Sequence, residues 1–164
     1  MFVWLFSIFH TAIAECPINN APIEPKRMDI EVGDLLPLIK QAEGCTVVIE
    51  IWASWCAPCV KIAPEVHAFH KSHPTTPVIS ISADATGVAA EQFWIKYPTP
   101  YQKRRFTKWS LDGLGSAFAT VGATFPESIP YFVVLNPKGE LVFETHEPKS
   151  LKQLIKAVDS TTEN

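Results

Sequence analysis

Apolar positions along this chain fall into runs with two different spacings. Thr46-Val47-Val48-Ile49-Glu50-Ile51-Trp52 and Pro77-Val78-Ile79-Ser80-Ile81-Ser82 are short apolar stretches of strand length. Between them Val60, Ile62, Ala63, Val66 and Phe69 recur at helical spacing, with Pro64 expected to kink the helix before it fades near His73-Pro74. A strand, a helix and a second strand in that order predict two parallel neighbours in one sheet. Upstream, Asp34 as N-cap and Gly44 as stop frame a short helix over 35–43, with Pro37 in its first turn. Downstream, 87–97 reads as a helix carrying Val88, Phe93 and Trp94, and 111–121 as another. Two strands over 131–135 and 140–144 flank Asn136-Pro137-Lys138-Gly139, a turn signal for an antiparallel hairpin, and an amphipathic helix over 150–158 closes the pattern.

Two segments do not follow either spacing. Residues 15–33, with Pro17, Pro22 and Pro25, are expected to form an extended arm ahead of one domain over 34–160. Residues 98–108, with Pro98, Pro100 and the basic run Lys103-Arg104-Arg105, read as a surface insertion or loop; docking of an acidic partner there is the alternative.

Length and composition narrow the class. With 164 residues and a hydrophobic fraction of 47%, one domain with a sizeable core is the default. A net charge of −3 gives no long-range attraction to nucleic acid or anionic membranes, so nucleic acid is not an expected partner. Residues 1–14 hold no charged side chain apart from a titratable His10 and end in Ala12-Ile13-Ala14, which resembles a signal peptide with its cleavage site. The run is shorter than the roughly 20 residues a bilayer span needs, and it lacks a positive start, so an uncleaved N-terminal anchor is the alternative. Export to the periplasm or beyond is the expectation.

The candidate chemistry lies in Trp55-Cys56-Ala57-Pro58-Cys59, directly after the first apolar strand and at the start of the helix that follows. Two cysteines separated by two residues can close a disulfide within one helical turn, and unpaired N–H groups at a helix start stabilise a thiolate. Thiol-disulfide exchange is the implied reaction. A zinc site would need four ligands, and Cys16 and Cys45 do not form a second close pair, so no metal is expected. In an exported chain Cys16 and Cys45 are either a structural bridge or two free thiols, and the sequence alone allows three connectivities. His67, His70 and His73, three apart on one helix, read as a solvated face rather than a metal site.

The order of elements and the local words resemble the thioredoxin family. The unbroken stretch from Val47 through Cys56, Cys59 and Pro64 looks like its central strand, active-site turn and kinked helix, and Ser128-Ile129-Pro130-Tyr131-Phe132 resembles its cis-proline loop. The resemblance implies an α/β thioredoxin fold, a central mixed sheet of four to five strands flanked by helices. The export signal, the arm and the long segment from Asp84 to Ile129 look like the periplasmic TlpA, ResA and DsbE branch, whereas Glu50 is similar to the buried acid of thioredoxin itself.

On that resemblance Cys56 is the attacking thiolate and Cys59 the resolving thiol, because Cys56 lies nearer the helix start and is expected to be the more exposed. Pro58 is implied to tune how reducing the pair is. Glu50, in an otherwise apolar strand, is expected to be buried with a raised pKa and to shuttle the proton of Cys59. Pro130, cis after Ile129, would face the dithiol and leave the Ile129 backbone to pair with an extended substrate, with Trp55 shaping the rim. The implied function is a thiol-disulfide oxidoreductase that exchanges disulfides with protein substrates, reductive as in cytochrome c maturation, with no cofactor. Its electron donor is unidentified, a membrane-embedded thiol transporter being one candidate. The rivals are an oxidase or isomerase with the same dithiol, and a non-catalytic binding module or metallochaperone.

Overall fold

The computed structural model describes Cys16, Ile18, residues 28–99, residues 101–147, Lys149 and residues 151–162. The signal-like run 1–14 and most of the arm lie outside the described residues. Among the described residues six strands form one mixed sheet: β1 (Met28–Glu31), β2 (Val47–Trp52), β3 (Val78–Ser82), β4 (Arg104–Lys108), β5 (Tyr131–Leu135) and β6 (Leu141–Thr145), in the order β1-β4-β3-β2-β5-β6. The strands from β1 to β2 run parallel; β5 is antiparallel to β2, and β6 to β5. The helices are α1 (Leu35–Gln41), α2 (Ala57–Ser72), α3 (Gly87–Lys96), α4 (Leu111–Ala119) and α5 (Leu151–Thr162).

Strand β2 is buried along its whole length because it sits between β3 and β5 with helices over both faces. Side chains alternate along a strand, so Val47, Ile49 and Ile51 enter one core cluster with Leu35 and Ile39 of α1 and with Leu114 and Phe118 of α4. Val48 enters the other, with Ile62, Val66 and Phe69 of α2 and with Leu151, Leu154 and Val158 of α5. Each fully buried side chain of this size contributes about 2 kcal/mol through removal of apolar surface from water. The helices begin where the sequence supplies caps. Thr86 accepts the Ala89 N–H at 3.4 Å and Ser110 the Gly113 N–H at 3.0 Å. The hairpin between β5 and β6 turns at Gly139, whose φ of 77° is a left-handed conformation that favours glycine.

The sheet has six strands rather than four to five, and both extra strands come from the segments that followed neither spacing. The end of the arm supplies β1, ahead of residue 34, and the segment expected to be a surface loop supplies β4. Charge hid the second of these strands. Arg105 is only 7% exposed, yet its Nε and Nη2 bond both carboxylate oxygens of Asp29 at 3.1 and 2.9 Å, and its Nη1 donates to the carbonyls of Asp84 and Phe106 at 3.2 and 3.0 Å. A guanidinium with this many partners can replace an apolar residue in a covered strand. Arg104 is buried as well, and loss of water lowers its pKa to about 10.

Cys16 and Cys45 are joined by a disulfide, and Ile18 packs against the first core cluster, so the bridge ties the arm to the turn between α1 and β2. Replacing both cysteines with serine frees a loop closed by residues 29 apart in sequence. The expected loss is roughly 3 to 4 kcal/mol of unfolding free energy on the chain-entropy account. Urea midpoints of the two forms check it, and an unchanged midpoint would show that the bridge constrains nothing.

Candidate active site

At the end of β2 the chain turns through Ala53, Ser54 and Trp55 into α2, with Cys56 as the helix N-cap. The Cys59 N–H donates to the Cys56 sulfur at 3.2 Å, the bond by which a helix start holds an electron-rich sulfur. Pro58 lies within the first two helical positions, where its missing N–H leaves no intrahelical bond unmade. Cys56 and Cys59 form a disulfide, the oxidised state of the pair.

The two sulfurs differ in the side they face rather than in how much they are exposed. Cys56 is 5% exposed and Cys59 3%, so the expected large difference in exposure does not occur. Cys56 lines a surface groove of about 380 Å³ with Trp55, Pro58, Trp109, Phe125 and Ile129. Cys59 instead lines a narrow interior cavity of about 20 Å³ with Glu50, His67, Ser80 and Tyr101. That volume holds about one water molecule.

Across the groove, the peptide bond between Ile129 and Pro130 is cis, and the Ile129 carbonyl oxygen lies 3.5 Å from the Cys56 sulfur. Glu144 of β6 anchors this loop at both ends, accepting the Thr124 N–H at 2.8 Å and the Tyr131 hydroxyl. Burial, and after it that hydrogen bond and the Glu144 charge, push the Tyr131 pKa well above the usual phenol range, so it stays a donor.

Glu50 is 6% exposed and faces α2, away from solvent. The Ser80 hydroxyl donates to it at 2.7 Å, and the Trp52 indole N–H donates to Ser80 at 2.9 Å. Desolvation raises the Glu50 pKa from 4.5 to about 7, and the Ser80 bond offsets part of that rise. The Tyr101 hydroxyl is pushed well above its ordinary value, first by burial and then by the Glu50 charge. The structure thus places a carboxyl able to exchange a proton near neutral pH on the same cavity as Cys59.

The three histidines do not share a solvated face. His70 is 8% exposed, its ring lies 4.7 Å from that of Tyr101, and burial followed by the His67 charge lowers its pKa to about 4. The apolar neighbours Val66 and Phe69 turn that side of α2 inward and carry His70 with them. His73 is fixed by Asp159 at 3.0 Å, and His67 lines the Glu50 cavity. Among the described residues no three His, Cys, Asp or Glu side chains gather as metal ligands.

Sequence reasoning missed Asp84. Its carboxylate is 1% exposed and accepts the Ser54 N–H at 3.1 and 3.2 Å, the Ser54 hydroxyl at 2.7 Å and the Ser82 hydroxyl at 2.6 Å. It clamps the active-site turn to the end of β3. An Asp just beyond a buried parallel strand was the available signal, since such strand ends carry the sites of open α/β sheets.

The thioredoxin family profile matches residues 37–102. A protein disulfide-isomerase of Ricinus communis is 31% identical over 88 residues, 51% of this chain and 17% of that protein. The thiol-disulfide oxidoreductase ResA of Oceanobacillus iheyensis is 26% identical over 84 residues, 48% of this chain and 44% of that protein. The chain therefore spans less than half the length of either relative. DsbF of MTB, solved in mixed oxidised and reduced forms, superposes with a TM-score of 0.55 at 25% identity, covering 79% of this chain and 85% of that one.

Two outcomes are expected of this geometry. Between pH 4.5 and about 7 the unfolded chain has lost the Glu50 proton that the folded chain keeps, so stability falls as pH rises through that window and then levels off. Glu50→Gln removes that slope, and its gain over wild type rises from near zero at pH 4.5 to roughly 3 kcal/mol at pH 8, read from urea midpoints. Asp84→Ala strands the Ser54 and Ser82 donors and lowers unfolding free energy by roughly 2 to 4 kcal/mol. A thermal melt indistinguishable from wild type would remove Asp84 from that role.

Proposed function

We propose that the chain is an exported thiol-disulfide oxidoreductase of the thioredoxin superfamily whose substrates are protein thiols and disulfides. The observation that carries the reading is the Cys56–Cys59 disulfide at the start of α2, with one sulfur on a surface groove and the other on the Glu50 cavity. The protein disulfide-isomerase and ResA relatives bear names of the same chemistry. The signal-like run over 1–14 supports export. Among the described residues no helix is long and apolar enough to cross a membrane.

In the reductive direction the Cys56 thiolate attacks one sulfur of a substrate disulfide. A mixed disulfide forms, and the other substrate sulfur leaves as a thiolate and takes a proton. Cys59 then loses its proton to Glu50, which lines the same cavity, and attacks the Cys56 sulfur. The second substrate sulfur leaves, and the pair is left as the disulfide. Two electrons pass from the dithiol to the substrate, and an external donor restores them.

The local electrostatics favour this direction. A dithiol is a strong oxidant when its thiolate is heavily stabilised. Here a single N–H contacts the Cys56 sulfur, Pro58 removes one donor from the first turn, and a carboxyl shares the cavity with Cys59. The one N–H stabilises the thiolate only modestly, the proline adds no donor and the carboxyl works against it, so the disulfide is the relatively favoured state. The physiological role is then to keep particular cysteines reduced, as in cytochrome c maturation.

Three measurements test the reading. A reduction potential close to about −270 mV is expected, whereas one near about −120 mV would mean a net oxidant. Cys59→Ser is expected to accumulate mixed disulfides through Cys56 on non-reducing gels, and a variant that binds metal but traps no protein would favour a binding module. Glu50→Gln is expected to slow the resolving step about tenfold or more at pH 7 while leaving the first attack unchanged, read by rapid-quench kinetics.

A further inference from the structure

Ten of the described residues line the groove at Cys56, and among them Glu127 alone has a charged side chain. Its neighbours are largely apolar. Trp55 is 64% exposed, Leu111 42% and Trp109 37%, the last held by its indole N–H donating to the Ala83 carbonyl at 3.3 Å. A volume of about 380 Å³ takes one or two side chains of an extended segment.

The backbone of Glu127 is the second observation. Its φ of 55° lies in the left-handed region, and it is the one non-glycine residue there among the described residues. For a residue with a Cβ this conformation costs roughly 1 kcal/mol, which glycine would avoid. The Thr124 and Tyr131 bonds to Glu144 pin the loop on both sides of it. The Glu127 carboxylate has no ion-pair or hydrogen-bond partner among the described residues, so nothing internal to the fold accounts for its charge.

Position links the charge to the chemistry. Ile129 touches the Cys56 sulfur, and Glu127 is two residues away, so their Cα atoms are at most about 7 Å apart. A substrate strand laid along residues 127–129 with its cysteine at Cys56 brings a residue one or two positions from that cysteine to Glu127.

We propose that Glu127 is a specificity residue that selects protein segments carrying a lysine or arginine within two positions of the cysteine being exchanged. The inference rests on the exchange function proposed above. Charge complementarity identifies the occupant: an extended basic segment, its apolar side chains against Trp55 and Trp109. An exposed pair of this kind acts mainly on the rate of productive encounter and weakens with salt.

The test uses the reduced protein and disulfide-bridged peptides that differ only at the residue beside the cysteine, which is Lys or Glu. Tryptophan fluorescence in a stopped-flow instrument reads the second-order rate of each. Wild type is expected to react about fivefold faster with the Lys peptide at low ionic strength, and the ratio is expected to approach one at high salt. In Glu127→Gln the ratio falls toward one at low salt, and Glu127→Lys inverts it. Glu127→Gly, which relieves the backbone, is expected to behave as Glu127→Gln does. Equal rates for the two peptides in wild type, or a ratio that survives in Glu127→Gln, would overturn the selectivity alone. Failure to exchange with either peptide would overturn the exchange function and this inference with it.

Discussion

Burial of β2 on both faces is the constraint from which the rest follows. A strand flanked by β3 and β5 and covered by helices cannot shift register, because a one-residue slip would swap Glu50 with Ile49 or Ile51 and send a carboxyl into the opposite core cluster. Register fixes where the strand ends, and its end fixes where α2 begins. The dithiol therefore owes its position to a strand buried along its whole length, while the turn between them is held by Asp84 from beyond the end of the neighbouring β3.

The same strand separates the two sulfurs chemically. Cys56 meets the groove and Cys59 meets the cavity, so the two sulfurs have different surroundings even though both residues are nearly inaccessible. A buried carboxylate without partners is expensive, and Glu50 is tolerated because Ser80 donates to it and because it accepts a proton at about pH 7. The groove carries a different acid on a different element, Glu127 in the loop before β5.

Most of the architecture was legible as spacing. The strands 46–52 and 77–82, the helix between them and the closing hairpin all appear within a residue or two of where their apolar periods put them. Two strands were not legible, for one reason. Arg104-Arg105-Phe106-Thr107-Lys108 has a single apolar residue, and the partners that let Arg105 lie inside the sheet are Asp29, far off in the chain, and main-chain carbonyls that no side-chain pattern records. Met28–Glu31 became a strand only because that partner existed. His70 is the converse: its spacing from His67 and His73 drew attention to the histidines, whereas its spacing from Val66 and Phe69 decided its burial. At the site, Cys56 and Cys59 were legible from their two-residue spacing directly after a strand and Glu50 because it breaks an apolar run, whereas the contact of Asp84 with Ser54 was not, because only the parallel pairing of β2 with β3 brings the two together.

Three charged residues, Asp29, Arg105 and Asp84, form one connected path through the fold. Asp29 in β1 holds Arg105 in β4, Arg105 holds the Asp84 carbonyl, and the Asp84 carboxylate holds Ser54 beside Trp55 and Cys56. Apolar packing could cover these strands as well, since a buried ion pair contributes little net stability over a well-packed apolar replacement. It could not place them as narrowly. Apolar contacts tolerate small slides, whereas a two-pronged guanidinium and a carboxylate with several donors accept few geometries. The ends of β3 and β4 and the turn into α2 meet where a sulfur must stand within reach of Ile129 on one side while its partner sulfur faces Glu50 on the other. A directional polar chain is better suited to that requirement than a larger hydrophobic core.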